Sequence, residues 1–319
     1  MRLITSNEQL NALLPNNLVT VTGEKTLIDK LSPFLAATEK WLSDVFTSQP
    51  VLDTICQFAE EDALRVATTQ AVVYEAFRRA VPHLDIILTP NGFGIVSNTN
   101  IAPASKERIN RLLDALLENR DAALLQVLSL LPAESGWLGT KQAQFFAATM
   151  FPNMEVTLRF PKAAIERGTS ELGQMSERKQ SRTEFKPSEG RWKLYLTLRE
   201  KAIGIEQFFA AQYLSVELMD VLRSEIQSGQ YRSLLHQRIC RTLQAVEIRC
   251  LQSTDPTALI HFAPPAGEAF AEEHCALFDI VNTIQSNPEE FPEWHSSATA
   301  ELYAPPIYEN KKESKGFWF

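Results

Sequence analysis

Apolar residues recur along this chain at intervals of three and four, the spacing that lines one face of a helix. Between Lys25 and Phe58, the positions Leu27, Leu31, Phe34, Leu35, Trp41, Leu42, Val45 and Phe46 follow that rhythm. Pro50 suits a first helical turn and Ser48 a cap ahead of it, so two helices are predicted there. Glu61–Ala80 carries Leu64, Ala67, Ala71 and Tyr74 on one stripe and Val66, Val73 and Phe77 on another. That coverage predicts a helix buried on more than one side, ended by Pro82. Ser105–Leu131 is the clearest tract, with Ile109, Leu112, Leu113, Leu116 and Leu117 on one face, Ser105 as its cap and Glu107 at its positive end. After Pro132 and the Gly136–Gly139 break, Lys141–Met150 forms a short aromatic-rich segment.

A different pattern stands in Leu84–Asn98, LDIILTPNGFGIVSN, with Ile86, Ile87 and Leu88 on one side of a turn signal and Phe93, Ile95 and Val96 on the other. Apolar runs flank Asn91-Gly92, a strong tight-turn signal, which predicts a β-hairpin mounted on the helical body. Glu155–Phe160 also alternates as a strand. The stretch 161–190 then loses its apolar pattern and fills with charged residues, Ser and Gly, as a solvated linker does.

Helical spacing returns over Arg191–Ile226 through Trp192, Tyr195, Leu198, Ile205, Phe208 and Phe209, and again over Gln230–Val246 and Glu268–Ile284. Glu247–Leu251 and Ala258–Phe262 read as a second strand pair. From Pro288 onward the prolines point to an extended tail, as residues 1–24 point to an N-terminal arm with a short amphipathic piece at Asn7–Leu14.

The two halves lay on each other. Pairing Glu39 with Glu206, an offset of 167, also pairs Trp41 with Phe208, Phe46 with Tyr213, Ser48 with Ser215 and Asp53 with Asp220. The predicted fold class is therefore mainly α, a duplicated helical-bundle unit carrying a β-hairpin, with extended terminal arms. Its parts are the arm 1–24, a first unit 25–153 with hairpin 84–98, a strand and linker 154–190, a second unit 191–287 with hairpin 247–262, and the tail 288–319. The competing reading is two unrelated helical halves, since amphipathic helices match each other easily.

Composition narrows the class without naming a chemistry. The chain has 319 residues, 45% hydrophobic and 22% charged, which is ordinary for a globular protein. Its formal charge of −8 argues against a general nucleic-acid binder. Four cysteines, Cys56, Cys240, Cys250 and Cys275, lack paired metal spacing and read as buried free thiols of a reducing compartment. No apolar run approaches the roughly 20 residues of a membrane span, and the N-terminus lacks a signal-peptide core.

The five histidines are scattered, and His274-Cys275, the one adjacent His/Cys pair, has no second pair to complete a zinc set. Asn91-Gly92-Phe93-Gly94 lies between strands, whereas a phosphate cradle needs a helix N-terminus. Catalytic, cofactor-binding and metal residues are therefore all predicted to be absent, with no cofactor expected. Phe145, Phe146 and Phe151 read as core packing. Phe317-Trp318-Phe319 reads either as an anchor for a groove on a partner or as a frayed end. The candidate contacts with a subunit or partner are Asn91, Gly92, Phe93, Phe317, Trp318 and Phe319.

Three blocks carry a resemblance. TPNGFGIVSNTNIAPASKER with the following Arg108–Leu124 helix, GWLGTKQAQFFAATMFPN, and RWKLYLTLREKAIGIEQFFAAQYLSVELM resemble an uncharacterised family from Bacteroidetes phages and prophages. The matches span most of Leu31–Leu222. The resemblance implies a virion structural protein, and it carries over no catalytic residue. In outline the helical unit with its hairpin is also similar to the adaptors that form rings between phage portal and tail. The expectation is a noncatalytic homo-oligomeric head–tail connector or neck adaptor, made in the host bacterial cytoplasm and built into the virion. Its expected partners are portal and tail or neck proteins, with passive contact with passing DNA and no membrane. A tail-completion, baseplate or injection-machine subunit is the alternative, and a packaging-associated enzyme the more distant one.

Overall fold

In a computed structural model, the chain is described over residues 3–14, 26–84, 86–89, 92–95, 105–160, 190–253 and 271–304. It divides into two compact units, Met1–Glu200 and Lys201–Phe319.

The first unit begins with α1 (Asn7–Leu13), which buries Leu10 completely, so this part of the arm packs as a helix. Helix α2 (Leu27–Leu42) opens on a capping box: Thr26 accepts from the Asp29 amide while the Asp29 carboxylate accepts from the Thr26 amide. It runs into a π-helical turn, Ser43–Thr47, and then α3 (Gln49–Ile55) and α4 (Ala63–Leu84). Helix α4 continues two residues past Pro82. The ribbon β1 (Ile86–Thr89) and β2 (Gly92–Ile95) is antiparallel, pairing Ile86 with Ile95 and Thr89 with Gly92. Helix α5 (Lys106–Leu130), capped by Ser105, packs along α4. After it come a 3-10 turn at Leu131–Ala133, α6 (Lys141–Phe146) and a second 3-10 turn at Met154–Arg159. Helix α7 (Gly190–Phe209) contributes its first half to this unit.

The second unit continues from α7 through a π-helical turn at Ala210–Leu214 to α8 (Val216–Ser228), which Gly229 ends in the left-handed region. Ser233 caps α9 (Leu234–Gln252), and α10 (Ala271–Gln285), α11 (Pro292–His295) and α12 (Ala298–Glu301) complete the unit.

Several expectations are corrected. The fold is mainly α, but the β-hairpin as a recurring part of each helical unit is overturned. Residues 247–252 are the last turns of α9, and 254–262 lie outside the described residues. The sequence there alternates over only a few residues, while Val246, Glu247, Cys250 and Leu251 are buried at helical spacing. With four residues in each strand, β1 and β2 are a minor part of a helical molecule. The predicted strand Glu155–Phe160 falls instead on the 3-10 turn Met154–Arg159 and its extended cap Phe160, because Asn153 caps the Glu155 amide and the Thr157 hydroxyl donates to the Met154 carbonyl. The tail is not extended from Pro288 either: Phe291 and Trp294 are buried, and two short helices follow. Cys275 is exposed and Cys56 half-buried, so only Cys240 and Cys250 are buried thiols.

Candidate functional site

The described chemistry lies in two kinds of buried polar arrangement. The first recurs in both units. A π-helical turn inserts one extra residue, so Ser48 N bonds back to Ser43 O at 2.9 Å and Ser215 N to Ala210 O at 2.8 Å. The widened turn exposes carbonyls that a following α-helix would have occupied. In the first unit the Trp137 indole N–H donates to the Phe46 carbonyl at 2.7 Å, and the Gln142 amide donates to Ser43 and Asp44 carbonyls. In the second unit the Trp294 indole donates to the Tyr213 carbonyl, also at 2.7 Å. There Thr299 and Tyr303 hydroxyls donate to the Ala210 and Gln212 carbonyls.

Each turn ends on a serine in an unusual conformation, Ser48 at φ 75° and ψ 155° and Ser215 at φ 75° and ψ 157°. Such angles are nearly reserved for glycine, and only a packed environment holds another residue there. Ser215 accepts from the Leu218 amide at 3.2 Å, whereas Ser48 makes no side-chain cap.

The second arrangement is buried charge, and here the units diverge. Glu75 on α4 is 1% exposed and receives Arg78 at 2.8 Å, Arg79 at 2.7 Å and Arg120 at 3.1 Å. Burial raises its pKa, but the Arg78 hydrogen bond and the Arg120 charge outweigh that and bring it down to about 2. Arg120 also bonds Asp121, whose other oxygen accepts from the Arg191 amide at 2.6 Å. Gly190 makes room for this: a Cβ there would lie 2.6 Å from the Asp121 carboxylate, and its φ of 75° also favours glycine.

In the second unit Arg223 gives two hydrogen bonds to buried Glu206, at 3.1 and 2.9 Å. Glu247 on α9 is fully buried, and neither carboxylate oxygen has a hydrogen-bond partner among the described residues. Burial, and then the Glu206 charge, push its pKa well above the ordinary value. His236 bridges Glu225 at 3.0 Å and the Glu290 carbonyl at 3.1 Å, stacked on Phe291. The Tyr213 hydroxyl meets His274 Nδ1; burial raises Tyr213 to about 12 and lowers His274, which fits a neutral pair with tyrosine as donor.

Apart from Glu247, these groups are paired with one another or with backbone carbonyls. Among the described residues, no group of three or more His, Cys, Asp or Glu is placed to hold a metal ion, and no helix is long and apolar enough to cross a membrane.

The candidate contact residues are not brought together by described structure. Gly92 and Phe93 lie on β2, opposite Thr89 and Leu88. Asn91, Phe317, Trp318 and Phe319 lie outside the described residues. The residues that organise both units, Trp137 and Trp294, went unnoticed in the sequence. Their signal was a second offset, 157, ten shorter than the one that pairs Ser48 with Ser215.

Residues 9–147 match the model of a family of unknown function, DUF6712, a stretch that lies inside the first unit and covers less than half of the chain. No curated protein and no solved structure matches the chain.

Proposed function

We propose that this chain is a noncatalytic virion structural protein, a head–tail connector or neck adaptor that forms a homo-oligomeric ring between portal and tail. The observation that carries the reading is the likeness of the blocks TPNGFGIVSNTNIAPASKER, GWLGTKQAQFFAATMFPN and RWKLYLTLREKAIGIEQFFAAQYLSVELM to a phage and prophage family. The internal build is compatible with it. Both units direct buried titratable side chains into neighbouring helices and turns, as a scaffold that bears load in an assembly requires. The short ribbon β1–β2 follows α4 directly and offers an edge to a neighbouring copy. The net charge of −8 discourages nonspecific adsorption of DNA, which suits a conduit wall.

The test is to mix the purified full chain with portal from the same particle and measure the mass of the complex, together with cryo-EM of the particle. The expected result is a ring of copies at the neck. A chain that stays monomeric beside portal, or is missing from purified particles, sinks the proposal.

A further inference from the structure

His236, in the first turn of α9, is sealed from water, and both of its ring nitrogens are engaged. Nε2 lies 3.1 Å from the Glu290 backbone carbonyl, which only accepts, so Nε2 carries a hydrogen. Nδ1 lies 2.9 and 3.0 Å from the two oxygens of the Glu225 carboxyl on α8. A neutral imidazole has a single N–H, and neither tautomer fits this setting. With the hydrogen on Nε2, the Nδ1 lone pair opposes a carboxylate; with it on Nδ1, the Nε2 lone pair opposes a carbonyl. A second proton is required, and the surroundings place it on the ring. Arg232 Nε stands 3.5 Å from Glu225 Oε1, which favours the carboxylate form. The Phe291 ring lies parallel to the imidazole within 7°, with centroids 4.6 Å apart, where its face favours a cation.

We propose that His236 is a buried imidazolium whose two N–H groups form a pH-sensitive latch, fastening residues 290–301 to α8 and α9. The latch sits at the root of that segment. Phe291 is fully buried against the ring, α11 begins at the next residue, and Trp294 on α11 closes the π turn at Tyr213. The other ties at this root, from the Ser233 hydroxyl to the Glu290 carboxylate and from Arg232 to Glu293, are exposed and do not depend on the proton. Tyr231 and Cys240 also interact with Glu225, and burial raises the pKa of each, which keeps them neutral. His295 on α11 bonds the Ile284 carbonyl of α10 instead. As pH rises, Nδ1 gives its proton to water, the ring opposes either Glu225 or the Glu290 carbonyl, and the segment loosens. The charged ring is the form that gains partners on folding, so the latch is closed on the acid side and opens toward alkaline pH. Acid strong enough to protonate Glu225 removes its partner from the other side. The latch belongs to the second unit alone and is independent of the virion reading.

Long-range proton–nitrogen spectra of the full chain labelled with 15N-histidine test the protonation, with the His236 signals assigned by their loss in His236→Gln. At about pH 7, where a free histidine is mostly neutral, both ring nitrogens of His236 should carry hydrogen. Amide hydrogen exchange over residues 292–301, corrected for its intrinsic pH dependence, should accelerate several-fold on going to about pH 9. Glu225→Gln brings an amide that donates to an unprotonated Nδ1, which satisfies a neutral ring on both sides. In that variant Nδ1 should lose its hydrogen and residues 292–301 should stay protected at about pH 9. Glu247 titrates in the same direction, and comparing the two chains holds it constant. An Nδ1 without hydrogen in the unaltered chain at about pH 7 overturns the proposal. So does exchange over residues 292–301 that ignores pH, or that keeps the same pH dependence in Glu225→Gln.

Discussion

Glu75 on α4 and Glu247 on α9 are both sealed from water, and they differ in what faces them. Three guanidinium groups converge on Glu75, so it is buried as a carboxylate inside a compensated network. Among the described residues nothing donates to Glu247, the Arg223 guanidinium near it is engaged by Glu206, and burial pushes its pKa well above the usual carboxylate value. The surrounding architecture is otherwise alike: each unit has a π-helical turn, a serine at φ 75° and an indole donating to a turn carbonyl at 2.7 Å. A shared backbone device therefore tolerates opposite solutions to buried charge. The device satisfies main-chain groups that any sequence would leave open, whereas the charge is compensated only by side chains particular to one unit.

The comparison can be broken most forcefully at Arg120. Arg120→Met leaves Glu75 and Asp121 buried with less compensation, and should destabilise the first unit by about 3–5 kcal/mol while leaving the transition of the second unit in place, as read by calorimetry.

The pH response should separate the units next. The Glu75 pKa is depressed, so its stabilisation is present above its ordinary value of 4.5 and is lost as pH falls toward about 2. That interval corresponds to about 3 kcal/mol, taken from the first unit in acid. Glu247 has the opposite sign: its raised pKa means that stability is full below 4.5 and declines as pH rises toward its folded value. Glu247→Met should flatten that decline and strengthen the second unit at neutral pH. Calorimetric scans across pH with parallel slopes for both units would contradict this pairing.

Trp137→Phe and Trp294→Phe sharpen the shared half of the comparison. Each removes the donor to a buried carbonyl and should cost about 1–3 kcal/mol, with similar losses in the two units under urea. Unequal losses would mean that the two locks are alike only in geometry.

The smallest effect is at the serines. Ser48→Gly relieves backbone strain with no cap to lose and should stabilise by about 1 kcal/mol. Ser215→Gly gives up the bond to the Leu218 amide and should gain less, which paired melting curves would resolve.

Much of the helical scaffold was readable in the chain. The stripes over Glu61–Ala80 and Ser105–Leu131 fall within α4 and α5, because burial of one face imposes its period on sequence. The offset of 167 that aligns Ser48 with Ser215 aligns the ends of the two π turns. Residues 247–251 misled because a few alternating positions at the end of a helix resemble a strand, and only the burial of Cys250 and Leu251 beside Val246 and Glu247 decides between them. The polar sites were the least readable. Arg78, Arg79 and Arg120 look like ordinary surface charges in sequence, and Arg120 lies 45 positions along the chain from Glu75.

The chain by itself determined where the long helices α4 and α5 run, that Ser105 caps α5 and that two stretches share a register, since these follow from local spacing and neighbouring residues. Tertiary structure decided which buried carboxylate is surrounded by guanidinium groups, and that a tryptophan far along the chain closes each π turn. Those outcomes depend on distances between residues separated by tens of positions, from Trp137 to Phe46 and from Trp294 to Tyr213, and no local pattern records them.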